Sequence, residues 1–411
     1  MAMELPVKRT LAEKLSTIDK ICDKVNKKAG FKVMGRIGRD KEMLEAMTLR
    51  YIPTPCRDLN IAISGKPDGG WPRGRCTLVA GKPDSGKTSI LLETIGKRMA
   101  ADPEFVAAWL ESENSLTKEY ACGTFKIDPD RFVFIPLNTD YGAEKTMDMI
   151  QGVLGTGSID MFVINSLACL VPTQELEADL ESSTVAVQAR FNSRLRKKFL
   201  AIVGRTDTAF VSVMNLTTSI GSMSRDPLVI GGGLAMQFWS SLTLDFRKHS
   251  IGAGEPFTKT EAVKIGATIR KNHCRQDIDG YQKVEYYAVF GKGIDQIVTM
   301  VPTAIDAGIL EQHGAWLWWK YPSAEDGYIK FNGKGEYRTY MEAHPDKLAE
   351  LISMLDADNN NVKDVSAEEA AEIEADEKAI NSMIAVVDDD DTESKAPKAK
   401  KAPAKKAKQS A

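Results

Sequence analysis

Short apolar runs and amphipathic helical segments alternate through the middle of this chain. Cys76–Ala80, Val106–Leu110, Phe132–Ile135, Met161–Ile164, Phe210–Met214 and Leu242–Phe246 are continuous apolar runs, as strands buried on both faces tend to be. Helical spacing fills the stretches between them. The pattern predicts a mostly parallel sheet covered by helices, from about Ile52 to Phe246. Val263–Lys271 and Val284–Phe290 are β-rich and flank Asp279-Gly280, a turn signal, so a hairpin is expected to extend the sheet.

Ahead of this region, Thr10 and Glu13 make a capping-box pattern, and Leu11, Leu15, Ile18, Cys22 and Val25 repeat at helical spacing up to Gly30. By pattern alone, this helix either packs its stripe on the chain's own core, the favoured reading, or docks it on a neighbouring subunit. Behind the sheet region, Thr303 to about Leu355 reads as a small mixed segment carrying Trp316, Trp318 and Trp319. Such a cluster serves the core of a small domain or, less simply, a stacking platform for nucleic acid. Beyond Asp356 the chain turns acidic (Glu368, Glu369, Glu372, Glu374, Asp376, Asp388–Asp391) and then alternates Lys, Ala and Pro from Lys395 to Lys408. Too little apolar surface remains there to offset the entropy of ordering, so a disordered tail is expected.

Composition adds exclusions. With 411 residues, 43% hydrophobic and 27% charged, the chain is long enough for a sizeable core. The formal net charge of −3 averages over the polarised tail. The 6 cysteines form no CxxC pair and the 4 histidines are dispersed, which argues against a disulfide framework and a transition-metal site and for a reducing compartment. No apolar run approaches the about 20 residues of a membrane span, and Met1–Lys14 lacks a signal-peptide core.

The sharpest chemical signal is Gly81-Lys82-Pro83-Asp84-Ser85-Gly86-Lys87-Thr88, which fits G-x4-G-K-[ST] in full between a strand and the helix opening at Ser89. Glycines let backbone N–H groups and a helix N-terminus close around phosphates. Lys87 is the compact cation for the β- and γ-phosphates, and the Thr88 hydroxyl is a ligand for Mg²⁺. Kinases, GTPases, helicases and recombinases share this loop, so the next strands must narrow the choice. Val106–Leu110 leads into Glu111-Ser112-Glu113, carboxylates at the end of a strand, where α/β sheets bind ligands. A glutamate there is a candidate base to polarise the attacking water. Met161–Ile164 should deliver an aspartate to the metal, but Asn165 stands there; it can hydrogen-bond a metal-bound water without adding charge. Either Asp160 or Glu113 contributes more, or turnover is slow.

In order and spacing, from roughly Val33 to Leu355, these motifs resemble the RecA family of ATP-dependent homologous-recombination proteins. The resemblance rests on Gly35-Arg36-Ile37-Gly38, Ile52-Pro53-Thr54, Leu59-Asn60-Ile61-Ala62 and Gly74-Arg75 as well as on the phosphate loop. It implies an α/β fold: a RecA-like P-loop NTPase core (33–300) with a mostly parallel central sheet, an N-terminal helical arm (1–32) and a small C-terminal α+β domain (301–355). A disordered tail (356–411) would follow. It implies that Glu113 is the catalytic glutamate, that Tyr120 stacks on adenine, and that Lys271 and His273 reach the γ-phosphate held by an adjacent protomer. Two loops are implied to face DNA: Val171–Ala189, followed by Arg190 and Arg194, and Leu216–Gly233, with Arg225, Gly231, Gly232 and Gly233. The helical arm then docks on the next protomer.

The implied protein binds ATP with Mg²⁺, forms helical filaments on single-stranded DNA and exchanges strands with homologous double-stranded DNA in recombination and repair. Single-strand-binding and loading proteins are the further partner classes, without any membrane, in the cytoplasm of a bacterial or phage-infected cell. Two departures stand out: Asn165 for the family's aspartate, and Leu216 where bacterial members carry a glutamine that senses the γ-phosphate. A ring-forming helicase and an ATP-gated DNA scaffold are the rival readings.

Overall fold

The computed structural model describes residues 10–357 except 31, 38, 138–141, 168–169, 171, 177–184, 219–227, 231–239, 253, 276–281, 322–323 and 325–326. Arg225, Gly231, Gly232, Gly233, the Asp279-Gly280 turn and the acidic and Lys/Ala/Pro-rich tail lie outside the described residues.

The N-terminal part comprises α1 (Leu11–Ala29), α2 (Lys41–Met47), β1 (Tyr51–Ile52), α3 (Arg57–Ser64) and β2 (Trp71–Pro72). The central region follows with β3 (Cys76–Gly81), α4 (Lys87–Ala101), β4 (Ala107–Glu111), β5 (Phe132–Pro136), α5 (Ala143–Gly155) and β6 (Met161–Asn165). It continues through α6 (Thr173–Leu176), α7 (Val185–Thr206), β7 (Ala209–Thr218), β8 (Leu228–Ile230), β9 (Leu242–His249), β10 (Ala262–Asn272), β11 (Gln282–Val289) and β12 (Gly293–Asp295). The last part is α8 (Gln296–Thr299), α9 (Val301–Asp306), β13 (Leu310–His313), β14 (Trp316–Lys320), β15 (Tyr328–Asn332), α10 (Gly333–Ala343) and α11 (Pro345–Ala357).

The central sheet runs β12-β11-β10-β9-β3-β7-β6-β4-β5, with β8 paired to β7. Strands β9, β3, β7, β6, β4 and β5 are parallel, and β10 to β12 continue the sheet antiparallel. Because strand side chains alternate, the runs in β3, β4, β6 and β7 feed two cores, whereas β5, at the sheet edge, leaves Val133 and Phe134 exposed. Val79, Trp109, Val163, Val211 and Val213 meet α3 and α4 on one face. Leu78, Leu110, Ile164, Phe210 and Met214 meet α5 and α7 on the other. In β3, β4, β6 and β7 the continuous apolar runs follow from burial on both faces.

At the N-terminus, Thr10 and Glu13 close the expected capping box, and Gly30 ends α1 with φ 78°. The stripe on α1 is not buried against the chain's own core, contrary to the pattern-only expectation. Cys22 is its one buried residue, and Leu11, Ile18, Ile21 and Val25 are exposed. The helix is held by the following segment: Arg36 forks onto Asp19 at 2.7 and 2.8 Å, and Asn26 bonds the backbone of Val33 and Met34.

The expected loops hold more structure than their polar residues suggest. Within Leu216–Gly233, Leu216, Thr217 and Thr218 extend β7 and pair antiparallel with Ile230, Val229 and Leu228. These β-branched and apolar residues favour a ladder over an open loop. Within 171–189, Thr173–Leu176 and the start of α7 are helical. In the C-terminal unit, Leu317, Trp319, Phe331, Tyr337, Met341 and Leu351 form a separate core. Alternation along β14 sends only one of the clustered tryptophans inward: Trp319 is 0% exposed and Trp316 is 47% exposed. Trp318, on the opposite face of β14 from Trp319, is half-buried, with the His313 ring at 4.3 Å and the Lys330 ammonium at 4.8 Å; among the clustered tryptophans the separate core takes Trp319 alone.

Gly96, inside α4, is the tightest helical glycine. Replacing an exposed helical glycine with alanine usually stabilises by about 0.5–1 kcal/mol. A Cβ on Gly96 would instead lie 1.9 Å from the backbone oxygen of Phe125. Gly96→Ala is therefore expected to lower the urea midpoint; an unchanged or higher midpoint would show that the backbone at Phe125 yields without cost.

Candidate nucleotide-binding site

The phosphate loop joins the end of β3 to the start of α4. Gly86 caps the helix at φ 84°, and Asp84 also takes a left-handed conformation at φ 61°. A Cβ on Gly81 would come within 2.4 Å of Ser85 Oγ and 2.6 Å of the Phe246 carbonyl; one on Gly86 would meet Ile265 at 2.2 Å. Only glycine lets the backbone pass this close. Lys87 is 6% exposed, and its Nζ donates to the carbonyls of Gly81 at 2.9 Å and Lys82 at 2.7 Å. Burial pushes the ammonium below its usual pKa, while Glu113, Asp84 and Asp245 work against that. Ser85 Oγ is buried without a partner among the described residues. Thr88 is half-buried as the second residue of α4, whereas Lys82, Pro83 and Asp84 are exposed. A close-wrapped backbone, a buried cation, an orphaned hydroxyl and a helix N-terminus fit a magnesium-bound polyphosphate, with Thr88 available to the metal.

A cavity of about 360 Å³ adjoins this loop, lined by Asp84, Ser89, Tyr120, Phe290, Gly291 and Gly293 among others. Its volume suits a small organic ligand. Tyr120 lies on a π-helical turn, Glu119–Thr124, a widened coil common at functional sites. Its hydroxyl meets Ser89 Oγ at 2.8 Å, and its ring packs edge-on to Phe125 at 5.1 Å. Sequence reasoning missed Phe290 and Gly291. They follow β11, far along the chain, and no local motif marks them; the 58% exposure of Phe290 beside a cavity is a tertiary signal.

The remaining groups converge by register. Glu111 pairs with Asn165 across β4 and β6, and Gly81 with Asn215 across β3 and β7. Each shares the parity of its strand's residues facing α3 and α4, so all lie on the nucleotide side of the sheet. Glu113 is exposed just beyond β4 and accepts from Asn215 Nδ2 at 3.2 Å. Asn165 is 1% exposed, and its Nδ2 donates to Glu111 Oε2 at 3.0 Å. Ser112 Oγ accepts from the Ser166 N–H at 2.7 Å and contacts the Asn165 and Ser166 carbonyls, stitching the two strand ends together. Asp160 is excluded as a compensating carboxylate. It precedes β6, roughly 16 Å from Asn165 along the strand, and binds Arg73 Nη2 and the Val106 N–H at 2.8 and 2.9 Å.

Lys271 and His273 are not brought to the chain's own phosphate loop. Lys271 pairs with Thr243, which pairs with Leu78, near the start of β3. The two residues thus lie roughly 10–16 Å below Gly81 at 3.3 Å per residue. Arg270 turns back to buried Asp245, with Nη2 at 2.7 Å from Oδ2. Arg190 and Arg194 are exposed on α7.

A parallel sheet with a phosphate loop after one strand and polar side chains at the ends of its neighbours defines a P-loop nucleotide-binding protein with a RecA-like core. Comparison with known proteins makes this specific. The family model described as the RecA N-terminal domain matches residues 16–295, and the chain belongs to the RecA family. It is 28% identical over 381 residues to Protein RecA of Bdellovibrio bacteriovorus, covering 90% of this chain and 95% of that protein. To Protein RecA of Aquifex pyrophilus it is 27% identical over 345 residues (84% and 92%), and to that of Thermus aquaticus 28% over 352 residues (85% and 94%).

Lys87→Ala removes the buried cation and should reduce nucleotide turnover on the order of 10²–10³-fold, the usual loss when one charge-stabilising donor is removed. Fluorescent-ATP titration and phosphate release check it, and wild-type behaviour in both would move the site elsewhere.

Proposed function

We propose that the protein is a DNA-dependent ATPase that polymerises on single-stranded DNA in its ATP-bound form and then pairs that strand with homologous duplex for exchange. The Asn215–Glu113 hydrogen bond carries the reading. Glu113 is the carboxylate beside the phosphate loop, and Asn215 stands at the root of the β7–β8 hairpin, directly before Leu216–Gly233, the segment assigned to DNA. One contact therefore links the group that orients the attacking water to the segment that would hold DNA. Mg²⁺ bound with ATP supplies charge neutralisation at the phosphates. Lys87 holds the phosphate chain, Thr88 and Asn165 face the metal and its water shell, Glu113 polarises water, and Tyr120 packs on the base. Arg190, Arg194, Arg225 and Gly231–Gly233 are the assigned DNA contacts. The division at 1–32, 33–300, 301–355 and 356–411 belongs to the same reading, as do a cytoplasmic location and single-strand-binding and loading partners.

Two features support self-association. Leu11, Ile18, Ile21, Val33, Met34 and Ile37 leave the N-terminal region with an exposed apolar surface, and edge strand β5 exposes Val133 and Phe134. A second copy is the occupant that fits both. The distance of Lys271 and His273 from their own phosphate loop supports their acting in trans, as an arginine finger does.

The experiment is phosphate release with and without single-stranded DNA, alongside electron microscopy. Stimulated hydrolysis on helical filaments is the expected result, whereas closed rings would favour a helicase-like motor. Glu113→Gln should keep ATP binding and filaments while hydrolysis falls on the order of 10²–10⁴-fold, the usual contribution of a positioned base. Full activity in that variant removes Glu113 from the chemistry.

Shared sites make a further prediction. Lys87→Ala protomers, dead at their own loop, can still lend Lys271 to a neighbour. Mixing them with Lys271→Ala protomers should restore part of the activity that neither shows alone. No recovery at any ratio would mean that each chain completes its own site.

A further inference from the structure

Glu111 is the most heavily engaged carboxylate near the site, yet its role differs from that of Glu113. It is 2% exposed at the last position of β4. Oε1 accepts from the N–H groups of Glu113 at 3.1 Å and Ser115 at 3.2 Å, and from Ser115 Oγ at 3.2 Å. Oε2 accepts from Trp109 Nε1 at 2.9 Å and Asn165 Nδ2 at 3.0 Å. All five partners donate, which matches a group with only lone pairs to offer. Among the described residues it has no cationic partner.

An uncompensated carboxylate is costly to bury, so its place against Asn165 calls for a reason. Asn165 is ambiguous by chemistry: either its oxygen or its NH₂ can face a neighbour. A carboxylate on one side settles the choice, because Nδ2 must turn towards Glu111. Oδ1 then points the other way, and among the described residues nothing donates to it. An oxygen that offers lone pairs is what the water shell of a divalent cation requires; an NH₂ there would repel it.

We propose that Glu111 is a positioning residue for the metal side of the nucleotide site: it locks the Asn165 amide with Oδ1 forward and places, one layer behind, the negative charge that residue 165 lacks. This rests on the nucleotide-site reading above. Departure from the family's aspartate is then a rearrangement of charge rather than a loss. An aspartate at 165 would set two carboxylates about 3 Å apart, a like-charge contact that disfavours both.

The consequence runs against simple charge counting. If residue 165 merely lacked charge, Asn165→Asp would tighten Mg²⁺-dependent binding. Under the proposal Asn165→Asp lowers thermal stability and leaves the Mg²⁺ requirement unchanged or higher. Glu111→Gln frees the amide to turn and should raise the Mg²⁺ concentration for half-maximal binding of fluorescent ATP by roughly 10-fold or more, as loss of a partner behind a metal ligand does. Combining the two, Glu111→Gln with Asn165→Asp, restores a donor–acceptor pair between 111 and 165 with its roles exchanged, at the expense of the Trp109 N–H bond, so Mg²⁺ dependence should recover beyond the sum of the single changes.

Binding is followed by fluorescence, without turnover, and folding by circular dichroism. Wild-type protein that binds fluorescent ATP without regard to Mg²⁺ would sink the nucleotide-site reading itself. Mg²⁺-dependent wild-type binding with strictly additive effects at 111 and 165 overturns the proposal and leaves that reading intact. Should Glu111→Gln fail to fold, Asn165→Asp against Asn165→Ala in the wild-type background still decides. The proposal requires that aspartate bind Mg²⁺-nucleotide no better than alanine, and tighter binding by aspartate overturns it.

Discussion

Glu111 stands opposite Asn165, and Gly81 opposite Asn215; this register of the parallel strands is the constraint on which the site depends. A one-residue slip would turn every side chain of a strand to the other face. Asn215 and Asn165 would then point towards α5 and α7, and the phosphate loop would lose its polar neighbours. The apolar residues enforce the register. Val79, Trp109, Val163 and Val213 have one core to fill, Leu78, Leu110, Ile164 and Met214 another, and a slip would exchange the two sets. The same parity places Leu216 with Met214, on the face of α5 and α7. Asn215, its neighbour, is the one on the nucleotide face.

Three buried charges lie at or near the phosphate-loop end of the sheet, and each is held differently. Lys87 rests on two loop carbonyls. Glu111 is surrounded by neutral donors. Asp245, 0% exposed, is met by Arg247 and Arg270 at 2.9 and 2.7 Å. Fixed dipoles and fixed charges in a site shielded from water need little reorganisation when a charged ligand arrives.

Under the proposed function a single chain holds two halves of different sites. Its phosphate loop opens at one end of the sheet, while Lys271 and His273 lie towards the opposite end of the strands. The exposed apolar surface of the N-terminal region supplies a reason for copies to associate, and association would bring the halves together. Hydrolysis would then depend on assembly without any further regulatory element.

Much of this was legible in the sequence because it is local or periodic. The phosphate loop is contiguous, so its glycines, Lys87 and Thr88 could be read directly. Continuous apolar runs announced the parallel strands, although burial on both faces failed for edge strand β5, and the α1 capping box needed only residues three apart. Other features arise from positions distant along the chain. Phe290 joins Tyr120 at the cavity only after β11 folds back, and Glu111 meets Asn165 only across paired strands. Sequence could not separate Glu111 from Glu113, two carboxylates on one turn; burial did. It could not send Trp319 inward and Trp316 outward without the phase of β14, nor leave the α1 stripe uncovered, because a hydrophobic pattern states that a face wants burial but not which chain will cover it. Local chemistry is written in neighbouring residues, whereas the pairing of distant strands and the choice between own core and partner are decided by packing.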